Sequence, residues 1–399
     1  MPLRPLAALA LATAFPALPG WALAAPPDTQ HVTIYHRPGQ YAGWPANGGI
    51  WAWGDEILVG FHTGFYADAL PAAATGDARA EDAVGPGEAP PADPSRPQRD
   101  LLARSRDGGL TWTIEDPAAG GALPLVIRRA GQSAEEAAAG LRPPTGGINF
   151  THPDFALSLR KVQDSDVGPS FFAYSYDRGR TWSGPYRLPD LGTPGLLART
   201  SYLVEGPSRC LVFLTAAKDD GYNGRALAAR TMDGGLTWSF VSWIVPDVPP
   251  GPGRFAIMPT VRSLADRTLY AVVRRREGER RWLSGHRSSD AGATWTAEAD
   301  PVTETAAGNP GSLVDLGGGR LALTYGVRSL PSRICARLSP DGGRTWGPEI
   351  VLRRDGSLRP IGYTQSVRRP DGRIVTVYYF ADRQTGPEQY VAATLWSPP

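Results

Sequence analysis

The sequence predicts an all-β chain closed into a six-bladed propeller. Three observations carry that prediction: a short turn written five times, a recurring unit of about fifty residues, and a composition rich in turn formers. The turn reads SRDGGLTW at 105–112, SYDRGRTW at 175–182, TMDGGLTW at 231–238, SSDAGATW at 288–295 and SPDGGRTW at 339–346. Its Asp falls at 107, 177, 233, 290 and 341, giving intervals of 70, 56, 57 and 51. With 47 Gly, 39 Pro and 12 Trp, the 399 residues favour many turns and short strands over long helices.

Each turn has a physical logic. Asp and Ser side chains cap backbone N–H groups within a loop, and Gly supplies backbone angles that other residues resist. The Trp that follows is expected to pack between blades. Around the last turn the order is clearest. SLVDLGGGRLALTYG, RICARLS, the turn and PEIVLR read as strand, hairpin, strand, strand, turn, strand, which is one four-stranded blade.

Aligning the blade openings gives six modules. They start at GWPANGGIWAW (43–53), THPDFALSLRKV (151–162), ARTSYLVEG (198–206), IMPTVRSL (257–264), GNPGSLVDL (308–316) and GYTQSVRRPDGRIVTVYY (362–379). The sixth ends at YVAATLWSPP after three strands. HVTIYH (31–36), ahead of the first module, is the candidate for its outer strand, a closure that removes an exposed edge. Insertions are expected at about 67–99 and 116–146, the second carrying a short helix in SAEEAAAGLR.

Residues 1–24 read as a signal peptide, with Arg4, an apolar run and Ala22-Leu23-Ala24 as an A-x-A site. That predicts a single mature domain from Ala25, exported to a periplasm or the outside. No other stretch has the length of a membrane span. A formal charge of +2 argues against nucleic acid or another polyanion as a dedicated partner, and a monomer is expected. Cys210 and Cys335 fall in blades that are not neighbours, so two buried thiols are expected rather than a disulfide. No HExxH, Cys/His cluster or EF-hand spacing occurs. No cofactor or metal is therefore expected, with a structural calcium on loop carboxylates left open.

Five such turns on a six-module chain resemble the Asp-box (BNR-repeat) propellers of the sialidase superfamily, across essentially the whole mature chain. Sites in such folds lie where the innermost strands enter the central channel. The opening positions are Trp44, His152, Arg199, Met258, Asn309 and Tyr363. The resemblance implies an Arg-Ile-Pro opening to blade 1, whose Arg clamps the substrate carboxylate. It also implies a Glu opening blade 4 that activates the nucleophile, an Arg at the end of the next strand, and a nucleophilic Tyr opening blade 6. Here those places hold Trp44-Pro45, Met258, Arg274 and Tyr363, and the third arginine of the family cluster has no assigned counterpart. A Tyr without its Glu is a weak nucleophile at its ordinary pKa of about 10.

The stretches YHRPGQYAGWPANGGIW and GGINFTHPDF are also similar to propellers that cleave rhamnose from glucuronate, in which a single His does much of the work. His36, His62 and His152 are the candidates. The expected catalytic set is therefore Tyr363, His152, His62 and Arg199, with Trp44, Asn47, Asp154, Arg274, Asn309 and Gln365 on the substrate. Asp55-Glu56 and Asp371-Gly372 sit in hairpin turns and read as structural. Arg can neutralise a uronate carboxylate, while Tyr or His moves a proton. These residues suit a glycoside hydrolase or a uronate lyase that removes a terminal sugar from an acidic glycan. The alternatives are a non-catalytic glycan-binding propeller and a partner-binding protein with no sugar site.

Overall fold

A computed structural model describes residues 28–67, 90–93, 95–117, 133–162, 168–358 and 360–399. The proposed leader and residues 68–89 of the first insertion lie outside this set. Within it, six antiparallel sheets follow one another along the chain as the blades of a propeller. In blades 3 to 6 the strands run in meander order, so every first strand starts at one mouth of the channel and every second strand ends there. Blade 6 is completed from the N-terminus: Thr29–Tyr35 pairs antiparallel with Tyr390–Trp396, placing Val32 opposite Ala393.

The repeated turns make one hydrogen-bond pattern. In the first, Asp107 accepts from the Ser105 hydroxyl (2.8 Å), the Thr111 backbone N–H (2.9 Å) and the Thr111 hydroxyl (2.6 Å), while Gly109 N–H donates to Ser105 Oγ (2.7 Å). The same contacts recur around Asp177, Asp233, Asp290 and Asp341. The hydroxyl and N–H of Thr294 hold the Asp290 carboxyl down at about 2, so it stays an anion occupied with its own loop. Each Trp then packs at the seam with the preceding blade. Trp112 joins Val375 and Val377, Trp182 meets Trp51, Trp238 meets Phe172, and Trp346 meets Tyr270.

Glu56, expected to be structural, binds this rim together. Its carboxylate accepts from Arg104 (2.9 Å), Arg178 (2.8 Å) and Arg180 (2.8 Å), stitching blade 1 to blade 2. Both cysteines are buried free thiols. A short helix at Ala134–Ala138 lies in the second insertion, capped reciprocally by Ser133 and Glu136.

Blade 2 departs from the expected pattern. Among the described residues it has three strands, Ala156–Lys161, Ser170–Ser175 and Ser183–Leu188. The strand ending in the turn is third in its blade in the four other blades that carry one, so Ala156–Lys161 is a second strand and no innermost strand lies inside it among the described residues. Blade 1 fills part of that space. Its inner strand breaks between Gln40–Gly43 and Ile50–Trp53, and a one-turn helix, Pro45–Gly48, bulges between the halves. The helix sits tightly on blade 1, since a Cβ at Gly48 would collide with the Gly60 carbonyl. Gly49, at φ 95°, would place a Cβ 2.7 Å from Thr200 of blade 3.

Candidate active site

Three opening positions share an unusual backbone. Trp44, Met258 and Tyr363 have φ of 56°, 53° and 49°, in the left-handed region that side chains with a Cβ rarely adopt. At Met258 and Tyr363 the inner strand also slips register against its neighbour, between Ile257 and Thr260 and between Gly362 and Gln365. A bulge re-aims a side chain, and strain repeated at equivalent positions makes this channel mouth the candidate site.

Around Tyr363 the mouth is built from arginines. Arg274 Nη1 donates to the Tyr363 hydroxyl at 3.1 Å. Arg328, just past the second strand of blade 5, lies with Cζ 5.6 Å from the Tyr363 ring centre and donates to the Tyr379 hydroxyl at 2.6 Å. Burial alone would raise the Tyr363 phenol, but the positive charges of Arg274, Arg328 and Arg199 outweigh it and bring the phenol down to about 8. Tyr379 shows the contrast, since burial dominates there and pushes the phenol up to about 12. Where the resemblance implied a Glu beside the phenol, the arginines are what lower it here. Met258, in the Glu position, is buried, and its sulfur lies 3.9 Å from Arg274 Nη1. Arg274 Nε is buried without a hydrogen-bond partner.

Asn309 contributes differently from expected. It is fully buried, donating to the Ile361 carbonyl (2.9 Å) and accepting from the Tyr363 N–H (2.9 Å), so its amide is engaged in fixing the strained backbone of Tyr363.

The opposite side of the mouth belongs to blades 1 to 3. Trp44 bridges the two sides, with ring centres 6.0 Å from His62 and 5.5 Å from Tyr379. His62 has one ring nitrogen 3.0 Å from Asp100 and the other 3.1 Å from Gln98. Arg199 Nε donates to Asn47 Oδ1 at 2.8 Å. A cavity of about 370 Å³ leads inward from Arg199, Met258 and Gln365.

His152 and Asp154 are elsewhere. Ala156 pairs with Ser175, the first residue of the blade-2 turn, so the residues just before it lie on the rim opposite the mouth. The His152 ring packs 4.7 Å from Tyr176, and Asp154 pairs with Arg178 at 2.6 Å. The THPDF stretch opens a second strand, and its apparent inner-strand register is corrected accordingly. His152→Ala is therefore expected to retain wild-type turnover on any substrate cleaved at the mouth, which steady-state kinetics on the purified variant will check. His36 is tied to Glu388 (2.9 Å) beside Tyr390, at the outer edge of blade 6.

Sequence reasoning missed Arg328, Tyr379, Arg160, Asp100 and Gln98. A signal existed for two of them. His62, Arg274 and Tyr379 pair with Gly43, Ile257 and Gly362, each just before an opening residue, and Arg328 ends the same strand of blade 5 in TYGVR.

Fold and repeated turns together define a six-bladed propeller with BNR-type repeats. The model of the BNR repeat-like domain matches residues 155–376, more than half of the chain, and the protein belongs to that family. Among solved structures it is similar to a protein of unknown function from Dyadobacter fermentans, with a TM-score of 0.65 and 20% identity over 93% of this chain and 99% of that one. It is also similar to the NanB sialidase from Streptococcus pneumoniae (TM-score 0.55, 11% identity, 91% and 70% covered). A third likeness is to an α-L-arabinanase from Penicillium chrysogenum (0.51, 16%, 92% and 98%). At these identities the likenesses establish the fold. No curated protein matches the sequence. Among the described residues no helix is long and apolar enough to cross a membrane.

Proposed function

We propose that the protein is an exported enzyme that cleaves a carboxylate-bearing sugar from a glycan at the mouth of blades 4 to 6. The observation that carries this reading is a half-buried phenol held near pKa 8 by three arginines. Arg274, Arg328 and Arg199 would neutralise the sugar carboxylate, and the buried Arg274 Nε supplies a donor that a ligand oxygen would satisfy. Tyr363, as phenolate, would attack the anomeric carbon. His62, steered by Asp100, is the candidate to protonate the departing oxygen from the blade-1 side.

One observation favours a second reaction in the same mouth. Met258 stands where a carboxylate base would activate the Tyr for attack, and the arginines that lower the phenol would also acidify a proton α to a bound carboxylate. The phenolate would then act as base in a β-elimination at a uronate. Export is part of the same proposal and rests on the leader read in residues 1–24.

The test is to incubate the purified protein at pH 8 with a sialyl glycoside and with a rhamnosyl-glucuronate glycan, recording sugar release and the ultraviolet absorbance of an unsaturated uronate. Release without absorbance supports hydrolysis, and release with it supports elimination. Binding with neither supports a glycan-binding propeller and ends the enzymatic reading.

A further inference from the structure

We propose that Asn47 is a positioning residue: it holds the Arg199 guanidinium at the mouth without neutralising it, so that blade 3 supplies the third positive charge where blade 1 opens on Trp44. The inference deepens the reading of a carboxylate-binding mouth and rests on it.

Three features of the page support it. First, the helix carrying Asn47 is fixed from several sides. Arg160, only 7% exposed, donates to the Asn47 carbonyl at 3.2 Å, and the Thr200 hydroxyl donates to the Gly48 carbonyl at 3.2 Å. Arg160 reaches the helix because blade 2 has no inner strand among the described residues to separate them. Second, the helix spans the mouth, for Ala46 packs in one cluster with Ile257, Met258 and Tyr363 of the far side. The Asn47 side chain, next along the helix, meets Arg199 of blade 3. Third, the hydrogen bond to Arg199 runs to Nε, at 2.8 Å, which fixes the plane of the guanidinium. An Asp there would make the same bond and form an ion pair, cancelling the charge that Arg199 presents. The neutral amide orients the cation and adds no negative charge of its own.

The experiment needs no substrate for its first readout. Tyrosine ionisation is followed by ultraviolet pH titration in wild type, Asn47→Asp and Asn47→Ala, with Tyr363→Phe subtracted to isolate Tyr363. The groups facing that phenol are Arg274, Arg328, Arg199 and Tyr379. Asn47→Asp, nearly the same size, is expected to raise the Tyr363 midpoint by about half a pH unit or more. The second readout is kinetic. KM for a carboxylated glycoside is expected to rise roughly tenfold in Asn47→Asp while KM for its methyl ester stays constant, the signature of a charge effect on binding. Asn47→Ala, which releases Arg199, should move both readouts in the same direction, and Asn47→Asp decides the matter if the alanine variant does not fold. An unmoved Tyr363 midpoint in folded Asn47→Asp overturns the positioning role. A moved midpoint in a protein that cleaves neither glycan overturns the proposed reaction and leaves the positioning role standing.

Discussion

Tyr363→Phe will lose turnover by on the order of 1,000-fold while keeping its fold and its affinity for a carboxylated glycan. The phenol oxygen accepts from Arg274 and the ring packs against Tyr379, so phenylalanine keeps the packing and removes the proposed reacting atom. The same variant reports on stability. A Tyr held at about 8 in the folded chain and near 10 unfolded gives up its proton earlier when folded. Between those values the unfolded state binds more protons, so stability should rise from about pH 8 to about pH 10, and the contribution is absent below pH 8. Subtracting the Tyr363→Phe stability profile from that of wild type isolates it. A flat difference across that window would show that the arginines do not act on the phenol.

Arg274→Gln and Arg328→Gln carry the second large effect. Each removes a cation from both the carboxylate site and the phenol, so kcat/KM should fall about 100-fold and the pH midpoint of the rate should move up from about 8 toward 10. With the phenolate as the proposed reacting form, the wild-type rate should rise as pH passes through the Tyr363 value. The upward shift is what separates this account from a simple loss of binding, which lowers the rate and leaves its midpoint in place.

The scaffold could be read from the sequence because each turn states its own chemistry. Ser, Asp and Gly at fixed offsets satisfy most of a loop's N–H groups from within the loop itself. The N-terminal strand followed from a missing edge in the last blade. Tyr363, Trp44 and Arg274 were found because blade register carries over between modules.

What the sequence hid depends on contacts between blades. THPDF looks like an inner-strand opening, yet only two β-rich runs, 156–161 and 170–175, separate it from its turn. Counting back from the turn, rather than forward from the Pro, would have placed His152 on the far rim. Asn309 shares the ring register but turns its amide to the backbone beside Tyr363, a choice set by tertiary packing. Of the arginines about Tyr363, Arg199 and Arg274 were legible from blade register, whereas Arg328 lies just past its strand and meets the Tyr363 ring only through packing between blades.

Cleavage of a matched pair of substrates, one glycoside bearing a free carboxylate and the other its methyl ester, compared at pH 8 in wild type and Tyr363→Phe, tests the central claim most directly. The arginine-held phenolate predicts rapid release from the free acid by wild type, little from the ester, and almost none from either by the variant. Equal release from acid and ester, or undiminished release by Tyr363→Phe, would contradict it.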